Sequence, residues 1–255
     1  MKKIVYIIVS IIFWIGLWYL IALLIKKPLL FPLPHMVLKR LGELIITAEF
    51  LKTTLFSLIR VILGICLSIL LGVILGIICA KSTLFYNLIH PIVVVIKSTP
   101  VASFIILVMI FLQRNMVPIF ISILMVFPII WTNVLKGFEN IDKDLLEICE
   151  VYKIPFLKKL KSLIIPSIIP YFISACLSSV GLAWKASIAA EILCVAPFSI
   201  GKMIYNSKLY LETTDLFAWT LTVIILSLIL EFITSLLIKK LLSKKAFGKE
   251  QKNEN

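Results

Sequence analysis

Six apolar runs, each near or above the length of a bilayer-spanning helix, dominate this sequence: 4–25, 54–80, 88–112, 116–135, 168–193 and 216–238. About 20 consecutive apolar residues suffice to cross a bilayer as a helix. None of the long runs alternates as a membrane β-barrel strand does. Backbone polar groups in lipid must be satisfied internally, which leaves helices. Composition agrees: 61% of residues are hydrophobic and only 15% are charged, whereas a soluble domain is nearer half apolar and a quarter charged. The expected fold is all-α and polytopic, a single transmembrane domain over 1–255 with about six spanning helices. The first run begins after Lys2 and Lys3, like a signal peptide. Its apolar stretch is too long for one and no A-x-A-like site follows, so it reads as a retained helix.

The formal net charge is +13. With six spans and an inside N-terminus, 15 lysines fall in segments on the cytoplasmic side and 8 basic residues on the outer side. That bias follows the positive-inside rule. It places both termini and the 136–166 loop in the cytoplasm. Charge is thereby explained by topology and membrane lipid, and nothing suggests nucleic acid. The five cysteines show no CxxC and no neighbouring histidine, so they read as small buried hydrophobes.

The outer segment 26–53 opens with Pro28, Pro32 and Pro34, expected to keep it extended. An amphipathic helix follows, with Val37, Leu41, Leu44 and Ile45 on one side and Lys39, Arg40 and Glu43 on the other. In the second run Gly64, Ser68, Gly72, Gly76 and Ala80 recur every fourth residue. Small residues so spaced let a second helix approach closely, within the chain or in a second subunit. The third run carries Lys97, Ser98, Thr99 and Pro100 near its middle, and Pro100 breaks helical hydrogen bonding. Such a break survives in a membrane only against protein or water. The fourth run holds Pro128, Thr132 and Asn133, and the fifth Trp184, Lys185 and Glu191.

Ionisable residues inside spans are costly and point to function. Here they are Arg60, Lys97, Lys185, Glu191 and Glu231. Lys97 and Glu191 are read as lining a polar pathway; the alternative for each is a snorkelling or structurally paired side chain. No phosphate loop exists: "APFSIGKM" lacks the leading Gly and the Ser or Thr after Lys202. No H-E-x-x-H or G-x-S-x-G occurs, so neither catalytic residues nor a metal site are expected.

Between the fourth and fifth runs, "EICEVYKIPFLKKLKSLIIPSIIP" reads as two short amphipathic helices around a proline turn. Asp144 and Glu147 resemble a capping box. Leu145, Cys149 and Tyr152 share one face. Pro155 ends the first helix, and Phe156, Leu160 and Ile164 form a second apolar stripe. Lys158, Lys159 and Lys161 lie off it, and Pro166 leads into the fifth run. Such an element suits a membrane surface or a soluble partner.

This loop resembles the "EAA" coupling loop of ABC-importer permease subunits. Glu147, Ile148 and Cys149 stand for E-A-A, Lys153 for the family's Gly, and Leu163 to Pro166 for its closing I-x-L-P. Further stretches resemble the nitrate/sulfonate/taurine branch in order: "LFPLPHMVL", "SLIRVILG", "IKSTP", "FPIIWTN" and "GLAWKASIAAEIL". The resemblance implies a pathway shared with a second permease subunit, expected to form a homodimer. It implies a separate ATP-binding subunit docked on Glu147, Cys149, Tyr152, Lys153, Pro155 and Pro166. It also implies an external substrate-binding protein. ATP would bind the partner, and this chain would hold no cofactor. The pathway residues would be Lys97, Thr99, Pro100, Asn133, Trp184, Lys185 and Glu191. The substrate would be a small anion such as a sulfonate, taurine or nitrate, or a vitamin precursor. A membrane-embedded enzyme and an ATP-independent channel or scaffold are the rival readings.

Overall fold

The computed structural model describes residues 2–27 and 29–253. Pro28 lies outside the described residues, as do the side chains of Lys2, Lys3, Lys244, Lys245, Lys249 and Lys252. The described chain is helical throughout: α1 (Lys2–Ile25), α2 (Pro34–Ile45), α3 (Ala48–Lys81), α4 (Thr83–Ser98), α5 (Val101–Phe111), α6 (Val117–Glu139), α7 (Lys143–Val151), α8 (Phe156–Lys159), a π-helical turn (Leu160–Ile164), α9 (Ile165–Cys194), α10 (Ile200–Leu209) and α11 (Thr213–Asn253). Five stretches are long and apolar enough to cross a membrane, and α4 with α5 forms a sixth that is bent by 110°.

The small-residue row of α3 finds its partner inside the chain. A Cβ added to Gly64 would stand 2.5 Å from Ser122 Cβ, one on Gly72 2.8 Å from Ile130 Cβ, and one on Gly76 2.8 Å from Val134 Cγ1. The contacts rise together along both helices, so α3 and α6 run parallel. Gly64, Ser68, Gly72 and Gly76 are buried, but Ala80 is exposed and Cys79 takes its place. A strict four-residue row drifts around a 3.6-residue helix, so its fifth member has turned away from the contact.

Parallel packing settles the path of the bent pair. α3 ends at Lys81 on the side where α6 ends, and α6 begins on the opposite side. The segment between them therefore recrosses, and α4–α5 is a sixth crossing rather than a surface excursion. Its bend falls at Thr99 and Pro100, as the sequence leads one to expect. α9 runs antiparallel to α6, with Ile168 against Gly137 and Cys194 Sγ donating to the Arg114 carbonyl at 3.5 Å. α11 runs back against α9, with Glu231 against Gly181 and Trp184 Nε1 donating to Val223 O at 3.0 Å. The C-terminal end of α1 meets the start of α11, where Trp18 and Phe31 pack on Phe217. Hence the start of α1, the end of α11 and the 140–166 loop share one side. α2 and α10 occupy the other.

Two local readings are corrected. Pro34 opens α2 rather than extending the chain; its fixed φ and missing N–H suit the first helical turn. A turn at Lys27–Phe31 precedes it. The second loop helix is also not separate, because α8 passes through the π turn straight into α9. Ile165 donates to the carbonyl of Leu160, five residues back. Widening the helix there shifts the carbonyls facing Pro166, which has no N–H to offer and would crowd a regular turn.

On α2, Val37, Leu41 and Leu44 are buried as the amphipathic pattern demands, but Ile45, expected on the same side, is exposed at the helix end. Arg40 grips Asp215 at the head of α11 through two bonds, Nε–Oδ1 2.6 Å and Nη2–Oδ2 2.8 Å. That carboxylate raises the guanidinium pKa above its already high ordinary value.

Replacing Gly72 or Gly76 with leucine forces α3 off α6. An overpacked core costs about 1–3 kcal/mol, so each variant should unfold at a lower temperature in detergent, while Gly16→Leu, where a Cβ meets nothing within 4 Å, should not.

Candidate functional site

α4 presents Tyr86, His90 and Lys97 along one face, at intervals of four and seven residues, the spacing of a helical stripe. They look across at Trp131, Thr132, Lys136 and Glu139 of α6, enclosing a groove of about 230 Å³. Lys97 Nζ donates to Thr132 Oγ1 at 2.8 Å, and that hydroxyl donates in turn to Pro128 O at 2.6 Å. Thr132 is thus committed on both sides, and it fixes the ammonium in place. An ammonium carries three donors, so two remain for a guest. At the other end the rings of Tyr86, His90 and Trp131 stack, with centroids 5.2 Å apart for Tyr86–His90 and 5.9 Å for Tyr86–Trp131. The bend at Pro100 is what ends α4 beside Thr132 and leaves Lys97 at the head of the groove.

Asn133 is half-buried, its amide donating to Ile129 O at 2.8 Å. Thr99 Oγ1 donates to Val95 O at 2.8 Å and closes the last turn of α4. On α9, Ser174, Ser178, Leu182 and Lys185 fall on one exposed stripe. Among the described residues Lys185 makes no ion pair. Trp184, one position away, is fully buried against α11. Lys97, Thr99, Asn133 and Lys185 therefore all retain some exposed surface.

Glu191 lies elsewhere. It is completely enclosed. It pairs with Arg60 at 3.1 Å, accepts from Ser57 Oγ at 2.8 Å, and accepts from Gly201 N at 3.2 Å. Arg60 also donates to Asn115 Oδ1 (3.0 Å) and to the carbonyls of Pro197 (2.7 Å) and Phe198 (3.4 Å). Ser57 closes the set by accepting from Ile200 N at 3.0 Å. One ion pair thus joins α3, the α5–α6 loop, the end of α9 and the start of α10. The turn it holds contains Val195 and Phe198, both left-handed with φ of 50° and 48°. Backbone of this kind costs a side-chained residue energy, and the network over-determines it. Spacing alone could not reveal this pairing, because Arg60 and Glu191 are 131 positions apart.

The loop is built from α7 and α8. The N-cap of α7 is Asp142, whose carboxylate accepts from Asp144 N at 2.9 Å and Leu145 N at 3.4 Å. Asp144 sits inside the first turn instead of capping it. At the far end, Lys153 N bonds Glu150 O and Ile154 N bonds Cys149 O, the paired bonds of a Schellman ending. That ending needs a left-handed residue, and Lys153 supplies it with φ 48°. On either side of it, Ile148, Val151, Tyr152, Phe156 and Leu157 are exposed, Val151 at 78% and Tyr152 at 76%. The stripe Phe156, Leu160 and Ile164 instead turns progressively inward until Ile164 is buried. Lys81 at the end of α3 lies 5.2 Å over the Phe156 ring.

The geometry defines a polytopic helical membrane protein with a polar, cation-bearing groove beside a broken helix and an apolar-tipped loop at one face. Residues 72–245 match the family described as binding-protein-dependent transport system inner membrane component, and the chain belongs to that family. It is 31% identical over 155 residues to the nitrate import permease protein NrtB of Synechococcus elongatus, covering 60% of this chain and 55% of that one. It is 24% identical over 116 residues to a putative aliphatic sulfonates transport permease protein, SsuC, of Bacillus subtilis, covering 46% and 41%. Against the bicarbonate transport system permease protein CmpB of a Synechocystis strain it is 33% identical over 87 residues, covering 34% and 31%. The match spans about half the length of the first relative and less of the other two.

Two substitutions separate scaffold from surface. Arg60→Ala leaves Glu191 buried without its cation, a change that costs about 3–5 kcal/mol, and thermal unfolding in detergent should show it; an unchanged melting temperature would contradict the pairing. Lys153→Gly should stabilise, since a left-handed side-chained residue costs roughly 1–2 kcal/mol, and the readout is slower amide exchange in α7.

Proposed function

We propose that this chain is the membrane-spanning permease subunit of an ATP-driven importer. Its pathway runs along the exposed polar faces of α4, α6 and α9. Lys97, Thr99 and Pro100 at the bend, Asn133 on α6 and Lys185 on α9 face it. Trp184 and Glu191 hold α9 from behind. A second copy of this chain closes the other half. The observation that carries the reading is the family match together with a cationic groove inside a membrane domain. The three relatives are named for nitrate, aliphatic sulfonates and bicarbonate, all anions. An anion is the cargo that Lys97, Lys136 and Lys185 would suit. A small sulfonate, taurine, nitrate or an anionic vitamin precursor falls within that class. An external binding protein delivers the substrate on the side of α2 and α10.

The loop couples the pathway to a separate ATP-binding subunit. Support comes from its exposed apolar side chains, since large apolar residues grouped at a water-facing loop mark protein contact. Tyr152 and its neighbours fit a cleft on that partner. Glu147, Cys149, Lys153 and Pro155 set the shape of α7, and the π turn with Pro166 hands motion to α9. ATP is bound by the partner, and this chain acts as a transport component without catalytic chemistry of its own. The shared side of the loop and both chain ends is then the cytoplasmic face of the cell membrane. The excess of lysines there supports this.

Tagged chain drawn from mildly solubilised membranes should bring an ATP-binding subunit with it. Glu147→Ala and Tyr152→Ala should reduce that recovery, Tyr152→Ala by about an order of magnitude if it is an interface anchor. Absence of any such subunit from the wild-type sample would sink the coupling role.

A further inference from the structure

The groove between α4 and α6 is larger and more aromatic than a bare oxyanion requires. A cavity of about 150 Å³ already holds a benzene ring, and this one measures about 230 Å³. Its two ends differ in chemistry. Lys97 and Lys136 line one part, with Lys97 locked by Thr132. The Tyr86 and His90 rings line the other, backed by the buried Trp131 on which they pack. An ion such as nitrate would engage the ammonium groups and leave the ring wall idle. Flat groups pack on aromatic faces with a gain beyond their buried area. Glu139 also lines the groove. It lies one helical turn from Lys136 on α6, so it sets an acidic group beside the cations on that wall.

We propose that this groove seats an organic anion with a flat, aromatic or conjugated body, its charged group at Lys97 and Lys136 and its flat face against the exposed His90 ring and the accessible part of Tyr86. The inference rests on the permease reading and narrows its cargo from small anions in general to flat organic carboxylates or sulfonates. It also separates this chain from relatives named for nitrate and bicarbonate. The ring wall was hidden in the sequence because His90 and Tyr86 precede the break that aims α4 at α6.

The test uses the full chain in nanodiscs of zwitterionic lipid, titrated calorimetrically with benzenesulfonate, methanesulfonate and nitrate. Benzenesulfonate should bind at least about fivefold more tightly than the other two. His90→Ala should weaken benzenesulfonate more than methanesulfonate, so that the preference falls below about twofold. Lys97→Ala should weaken all three anions and Lys97→Arg should restore them. Both positions are exposed, so unchanged melting temperatures accompany these effects. Equal binding of the three anions, no binding of benzenesulfonate, or indifference to Lys97→Ala overturns the proposal. Loss of benzenesulfonate binding on adding phosphatidylglycerol to the discs also overturns it, by assigning the groove to a lipid headgroup. The permease reading fails separately, through absence of an ATP-binding subunit in the pull-down, which these titrations do not involve.

Discussion

The close approach of α3 to α6 is the contact on which the rest of the chain depends. Lipid tails are as apolar as leucine, so helices in a bilayer are not driven together by the hydrophobic effect; they associate by close contact. Gly64, Gly72 and Gly76 remove the side chains that would hold the two backbones apart. The resulting pair is parallel, and parallel neighbours need a full recrossing between them. α4 and α5 provide it with a 110° bend at Pro100. Because the bend ends α4 beside α6, Lys97 reaches Thr132, and the polar groove follows from a packing decision made by three glycines.

The same glycines explain an oddity of the helix ends. Among the described residues no glycine has a positive φ; the left-handed positions fall on Lys26, Lys153, Val195, Phe198 and Leu211. Helices commonly end on a left-handed glycine. This chain keeps its glycines largely for close approach and ends helices on side-chained residues. At Lys153 the family pattern has glycine, yet the Schellman hydrogen bonds persist. The constraint there is on the backbone, and the side chain is tolerated at an energetic cost.

Much of the architecture was legible in the sequence because bilayer thickness fixes run length. The six apolar runs, the break at Pro100 and the amphipathic face of α2 all express local rules. What was not legible depends on contacts between distant residues. The four-residue row in α3 could not name α6 as its partner. Glu191 read as a possible pathway residue because a charge in a span looks the same whether exposed or paired; only the fold brings Arg60, Ser57 and Gly201 around it. Pro166 leads into the fifth run by type, but the π turn that absorbs it leaves no mark in the sequence. Asp144 resembled a cap by type, while the chain geometry gives that place to Asp142.

Charge is handled in two opposite ways at the two ends of the bundle. Near α10, Arg60 and Glu191 are taken out of water together, and their remaining donors and acceptors are filled by backbone groups and short side chains. A buried pair of this kind is stable only while every member stays in place, so it makes that end rigid. Towards the loop, Lys97 and Lys136 face an open groove with Glu139 on its wall, and among the described residues neither lysine makes an ion pair. α9 runs from one of these ends to the other. Its last turns carry Glu191, and its first leads from the π turn and the exposed loop, so one continuous helix joins the two ends.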